Sequence, residues 1–199
     1  MELVRLSENT LIILDEAVID LVVFSRIHKM TEVIQTELSE KIIDIVPAYH
    51  SIHITFSLLK TSGDDFLHRI KDIIVQQENI HPQKEEGQVI HIPVYYGEEV
   101  ADDLPLLLQE KALTKEAFVE IHSEKFYDVY AIGFSPGFAY LGHVDSRIAM
   151  SRKKTPRSKV LKGSVAIADQ QTAVYPSDSP GGWQIVGRTP LEVVDYTKE

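Results

Sequence analysis

Residues 41–56 read KIIDIVPAYHSIHITF. Two β-branched runs meet through PAYH, and in the second Ile52, Ile54 and Phe56 alternate with His53 and Thr55. Period-two alternation marks a strand with one buried face, so the segment predicts two neighbouring strands. On its N-terminal side, residues 17–38 carry Val18, Leu21, Val22, Ile27, Met30, Val33, Ile34 and Leu38. Their recurring i, i+3, i+4 spacing predicts an amphipathic helix, and TLIIL (10–14) before it predicts a strand. On the C-terminal side, GDDFLHRIKDIIVQQEN (63–79) predicts a second helix, with Asp64 and Asp65 in the first turn, where acidic side chains are favoured. QVIHIPVYY (88–96) predicts a further strand, placed at a sheet edge or bulge by Pro93. The order β-α-β-β-α-β is that of a ferredoxin-like unit.

HPQKEEGQ (81–88) is polar, with Pro and Gly, and predicts a closing loop. Short helices are expected near 103–110 and 114–123, the second capped by Thr114. Beyond residue 125 the character changes. FYDVYAIGF, SVAIA, TAVYP, WQIVG and LEVVDY alternate with Gly-, Pro- and Ser-rich turns, a pattern expected of an all-β barrel or sandwich. The fold class is therefore α+β. An α/β domain is expected over 1–87, its last strand reaching to 96, and a β domain over 88–199.

Composition narrows the function. Thirty acidic against 20 basic residues give a formal net charge of -10, which disfavours generic nucleic-acid binding. There are no cysteines, so disulfides, thiolate catalysis and Cys-based zinc sites are excluded. MELVRLSENT lacks the regions of a signal peptide, and the apolar runs are too short to span a membrane. A cytoplasmic protein that does not engage a membrane is expected. No metal site is expected either, since no HExxH or comparable ligand set occurs. His122, on an apolar-faced helix with Phe118 and Ile121, reads as a structural residue. The acidic group Glu98, Glu99, Asp102 and Asp103 reads as a solvated helix start.

GFSPGFAYLG (133–142) contains a G-x-S-x-G match to the nucleophile elbow of serine hydrolases. The residue after Ser135 is Pro136, which has no N–H to give to an oxyanion hole. The only later histidine is His143, with no carboxylate between them, so the triad order fails too. Pro136-Gly137 instead predicts a type II turn, and the three aromatics beside it suit either a plain turn or a ligand wall. A second Ser-Pro-Gly turn is expected at SPGGW (179–183), which holds the only Trp. Between the two, SRIAMSRKKTPRSKVLK (146–162) carries Arg147, Arg152, Lys153, Lys154, Arg157, Lys159 and Lys162 and no acidic residue. On an acidic protein that segment suggests a site for a carboxylate, a phosphate or an acidic surface.

GFSPGFAYLG, TPRSKVLKGSVAIA (155–168), QTAVYP (171–176) and SPGGWQIVGRTPL (179–191), in that order, resemble the family of 5-oxoprolinase B subunits. Relatives of that family include the KipI-type inhibitor of a sporulation histidine kinase and one half of the carboxyltransferase module of urea carboxylases, subdomains C and D. The resemblance implies an N-terminal α/β domain, in keeping with the ferredoxin-like order above, followed by a cyclophilin-like β-barrel. Where the family has a GGEFGPDL-like run, this chain reads GEEVADDL (97–104), with two glycines and a proline replaced. Relatives continue past the position of Asp195 with a further β segment, so a barrel short of its C-terminal strand is expected.

The activity implied is that of one component of an ATP-dependent amidohydrolase, which opens 5-oxo-L-proline to L-glutamate together with its A and C subunits. The C subunit is the paired partner, and ATP is the cofactor of the complex. The alternatives are an inhibitor of a sensor histidine kinase, or a carboxyltransferase-like component acting on a urea-type amide. The resemblance assigns no catalytic residue. It implies Arg157, Gln171, Ser179 and Arg188 as substrate or anion contacts, with Arg157 the first choice for a bidentate grip. Phe134, Pro136, Gly137, Tyr140, Tyr175, Pro180, Gly181, Gly182 and Trp183 would form the pocket.

Overall fold

The computed structural model describes residues 1–77, 87–195 and 197. Most of the loop expected at 81–88, and the end of the helix expected to reach 79, lie outside the described residues. The chain divides into two compact units, Met1–Gln88 and Val89–Glu199. Among the described residues no helix is long and apolar enough to cross a membrane.

In the first unit β1 (Glu2–Arg5), β2 (Thr10–Leu14), α1 (Leu21–Leu38), β3 (Ile42–Pro47), β4 (Ser51–Phe56) and α2 (Gly63–Gln77) follow one another. The strands form one antiparallel sheet in the order β1-β2-β4-β3. α1 starts later than the apolar pattern suggests because Asp20 caps it, accepting from Val22 N at 2.8 Å and Val23 N at 3.3 Å. At the start of α2, Ser62 and Asp65 bond reciprocally: Asp65 N donates to Ser62 Oγ at 3.1 Å, and Ser62 Oγ donates to Asp65 Oδ2 at 2.7 Å. Val23, Ile27, Met30 and Ile34 of α1 and Phe66, Ile70 and Ile73 of α2 bury one face of the sheet, against Leu11, Ile13, Ile52, Ile54 and Phe56. Phe56 stacks on Phe66 with ring centroids 4.3 Å apart.

The expected final strand over 88–96 does not join this sheet. In a β-α-β-β-α-β unit the sixth element would lie beside the first strand. Here β1 takes that edge, pairing Leu3 with Ile13 and Val4 with Ile12. Residues 89–96 belong to the second unit, where Tyr95 makes a single antiparallel bridge to Arg188. Pro93 lacks the N–H that a continuous ladder there would use.

The second unit comprises α3 (Leu104–Lys111), α4 (Lys115–Ser123), β5 (Asp128–Ile132), β6 (Ala139–Gly142), β7 (Arg157–Val160), β8 (Ser164–Ala168), β9 (Gln171–Val174), β10 (Ser179–Gly181) and β11 (Gln184–Arg188). Thr114 caps α4 as expected, accepting from Ala117 N at 3.2 Å. Five strands form a sheet in the order β11-β8-β9-β6-β5, and β10 pairs with β7 in a second, two-stranded sheet. Among the described residues no barrel closes, and β11 and β5 are left as edges. LEVVDY forms no strand over its described residues 191–195; Val193 packs into the core instead.

All five residues of β8 are buried. Val165 and Ile167 face a core built with Leu104, Leu107 and Phe118 of the helices, whereas Ala166 and Ala168 face a second core with Phe138, Tyr175 and Trp183. His122 of α4 lies in the first core, 6% exposed, between Tyr96 and Thr172. Thr172 Oγ1 donates to Ala166 O at 3.0 Å, so it can only accept from His122 Nε2–H at 3.2 Å. That leaves Nδ1 to accept from the Tyr96 hydroxyl at 2.8 Å. Burial lowers the His122 pKa from 6.5 to about 4, so the ring is neutral in the folded protein.

An unfolded chain binds a proton at His122 near pH 6.5, whereas the folded chain resists until about pH 4. The stabilisation is therefore complete above pH 6.5 and is lost as the pH falls from 6.5 towards 4, by a total on the order of 3 kcal/mol. Urea titrations between about pH 7 and pH 5 should show this fall, and His122→Gln, though less stable at neutral pH, should flatten it. An equally steep profile in the variant would assign the dependence to other groups.

Candidate functional site

The second core opens into a pocket of about 260 Å³ beside β8 and β9. One wall starts at the turn in GFSPGFAYLG. Phe138 N donates to Ser135 O at 3.0 Å, and Gly137 has φ of 78°, so Pro136 and Gly137 occupy the central positions of the expected type II turn. A Cβ on Gly137 would also lie 1.9 Å from Val194 Cγ2, so glycine is required there twice over. Ser135 Oγ is buried and, among the described residues, has no hydrogen-bond partner, hence no base to activate it. The turn delivers Phe138 into the core, where its ring meets Tyr140, Tyr175 and Trp183 edge-on at centroid distances of 4.9, 5.2 and 5.6 Å.

SPGGW corrects its expected turn. Ser179, Pro180 and Gly181 form β10, with Ser179 opposite Val160 and Gly181 opposite Arg157. The register shifts between Ser179 and Gly181, which puts Pro180 at an irregularity where no ladder N–H is needed. Gly181 lets the buried Tyr175 approach, since a Cβ there would fall 2.2 Å from the Tyr175 hydroxyl oxygen. The alanines of β8 and β9 have a related effect: small side chains at 166, 168 and 173 leave room for three large rings.

Of the residues the sequence suggests, Phe134, Tyr140, Gln171, Tyr175, Pro180, Gly181, Gly182 and Trp183 line the pocket. Pro136 and Gly137 do not; they hold the turn behind Phe138. Arg157, Ser179 and Arg188 also lie off the lining. The Arg157 guanidinium donates from Nη2 to Asp103 Oδ1 at 2.7 Å, so the first-choice anion contact is already engaged. Ser179 Oγ and Arg188 Nε are buried with no partner among the described residues.

Arg152, Pro156, Ala168 and Asp169 line the pocket as well, although no motif marks them as pocket residues. Arg152 is signalled only by the basic segment, and the structure shows which member of that segment lines the pocket. Arg147 pairs with Asp145, Lys153 and Arg157 with Asp103, Lys159 with Asp178, and Lys162 with Glu192. Arg152 and Lys154 are left without such a pair among the described residues, and only Arg152 of the two reaches the pocket. Asp169 has no sequence signal; it sits in the β8–β9 connection with φ of 52°, its amide held by Met150 O at 2.8 Å.

Asp103 also departs from its reading as part of a solvated helix start, being 4% exposed. Burial alone would push its pKa up, but hydrogen bonds from Arg157, Lys153 and the Ile185 amide outweigh that and hold it below the ordinary carboxylate value. The pocket thus combines aromatic faces with the Arg152 guanidinium, a carboxylate and the Gln171 amide. That set suits a small ligand with one anionic and one amide-like edge.

The family model for the carboxyltransferase domain, subdomains C and D, matches residues 1–199. The chain belongs to this family. It is 33% identical over 177 residues to the 5-oxoprolinase B subunit of Bacillus subtilis (strain 168), covering 83% of this chain and 72% of that protein. It is 38% identical over 135 residues to the 5-oxoprolinase B subunit of Haemophilus influenzae, covering 66% of this chain and 63% of that protein. The crystal structure of TTHA0988 superposes with a TM-score of 0.83 at 30% identity, over 97% of this chain and 37% of that one. The chain therefore spans part of each relative's length.

Gly181→Ala should cost roughly 1–3 kcal/mol, because Tyr175 is buried and cannot swing clear of the added methyl group. Urea denaturation would measure it, and Trp183, the only tryptophan, would report the displaced ring by its emission. An unchanged midpoint and spectrum would show that the contact with Tyr175 is not tight.

Proposed function

We propose that this chain is the B subunit of an ATP-dependent 5-oxoprolinase, which opens 5-oxo-L-proline to L-glutamate and is inactive without its A and C subunits. The observation that carries this reading is the 33–38% identity to proteins of that name in Bacillus subtilis and Haemophilus influenzae. In this reading the complex works in the cytoplasm, the C subunit is the paired partner, and ATP is consumed by the assembly. The first unit is a ferredoxin-like domain (1–87) with β1 in place of the last strand. The second (88–199) is a cyclophilin-like unit whose sheets stay open among the described residues.

The pocket supports the substrate class. 5-Oxoproline is a five-membered lactam bearing one carboxylate, small enough for about 260 Å³. Tyr140 and Trp183 would cover the ring faces, and Arg152 would take the carboxylate through two parallel N–H donors. Gln171 and Asp169 stand where an amide edge could be read. Arg157, Ser179 and Arg188 serve from behind the lining, Arg157 by holding the basic segment in place.

Reconstitution with the A and C subunits tests the reading. Glutamate should form from 5-oxoproline only when all three proteins and ATP are present, and no turnover with intact partners would overturn it. Loss of a charged hydrogen bond in Arg152→Ala should raise KM for 5-oxoproline roughly tenfold or more. An unchanged KM would remove Arg152 from carboxylate recognition.

A further inference from the structure

We infer that Asp103 is a positioning residue, whose buried carboxylate clamps the Lys153–Arg157 segment to β11 and thereby sets the Arg152–Pro156 wall of the pocket. The inference rests on reading that pocket as the ligand site. Asp103 occupies the N-cap of α3, yet its side chain makes no hydrogen bond to the helix's own amides. An aspartate at that place ordinarily caps the first turn. Here both oxygens are engaged elsewhere. Oδ1 accepts from Lys153 Nζ at 2.8 Å and Arg157 Nη2 at 2.7 Å, and Oδ2 accepts from Ile185 N at 2.7 Å. The Asp103 amide returns a bond to Ile185 O at 2.9 Å, so α3 and β11 are tied reciprocally at this residue.

Both cations come from one short segment, and they flank the part of it that faces the pocket. Lys153 follows Arg152 directly, and Arg157 follows Pro156. The segment has further anchors beside β11: Lys153 N donates to Gly182 O at 2.7 Å, and Gln184 Nε2 donates to Ser151 O at 2.7 Å. Arg152 is thus held on both sides by bonds to the residues next to Trp183. Asp103 is the one of these anchors that also removes charge. Its single negative charge is shared between Lys153 and Arg157, whereas Arg152, the cation on the pocket lining, has no ion pair among the described residues.

The test uses Asp103→Asn, with Lys153→Met as a second variant that keeps the carboxylate paired to Arg157. Trp183 reports on the pocket wall without reference to any ligand. In the full chain, at a temperature well below melting, both variants should red-shift its emission and at least double its acrylamide quenching constant, with far-UV circular dichroism unchanged. In the complex reconstituted with the A and C subunits, both should raise KM for 5-oxoproline about tenfold, with kcat within about threefold of the parent. A purely structural role predicts a lower melting temperature with Trp183 and KM unmoved, and that result would overturn the inference. Should Asp103→Asn fail to fold, Lys153→Met alone decides by the same two readouts. If the parental complex forms no glutamate, the functional reading fails, while the Trp183 arm still supports or overturns the clamp.

Discussion

β8 is buried on both faces, and the second unit is organised by what its alternating residues leave room for. Val165 and Ile167 are large, and the helices α3 and α4 close over them. Ala166 and Ala168 are small, and the space they leave is filled by Phe138, Tyr175 and Trp183. Large side chains on both faces would give two dry cores and no pocket. Because one face is stripped to alanine, three rings can meet edge-on there and still leave a cavity at their rim. The Pro136-Gly137 turn, the close approach at Gly181 and the placement of Trp183 all answer to that one face.

Electrostatics in this unit follow from pairing more than from totals. Seven basic residues between 146 and 162, in a protein of net charge -10, suggest a positive patch. Yet Arg147, Lys153, Arg157, Lys159 and Lys162 are all matched to carboxylates. Surface pairs of this kind add little stability. Asp103 differs because it is buried, and a buried carboxylate is tolerated only when each oxygen is satisfied. His122 illustrates the same rule for a neutral group. Its two nitrogens are committed to Tyr96 and Thr172, and burial keeps it uncharged.

The elements legible ahead of the structure are those whose cause is local. The hairpin of 41–56, the two helices that cover its sheet, the Thr114 cap and the type II turn at Pro136-Gly137 depend on residues within a few positions of one another. β1 was not legible: four residues with charges at both ends carry too short a pattern. The strand expected over 88–96 had the right composition, but its edge was already filled. SPGGW carried a turn signal that pairing with β7 overrode. In the second unit, Phe134, Tyr140, Tyr175, Gly181, Gly182 and Trp183 lie together on one pocket lining, because aromatic and Gly-rich motifs mark where backbone and rings can approach closely.

Chain order and local chemistry alone point to an α+β succession, to the family and against Ser135 as a nucleophile. Each follows from periodicity, from a missing N–H, or from motifs in a fixed succession. Only the folded chain decides which cation faces the pocket and that Asp103 is buried. Those outcomes depend on partners 50, 54 and 82 residues from Asp103, namely Lys153, Arg157 and Ile185, and no local pattern encodes the competition among them. The same holds for the edge of the first sheet, where two segments of suitable composition compete and β1 takes the place. Arg152 and Arg157 are alike as residues; in the folded chain Arg157 is held by the buried Asp103 carboxylate, whereas Arg152 lines the pocket.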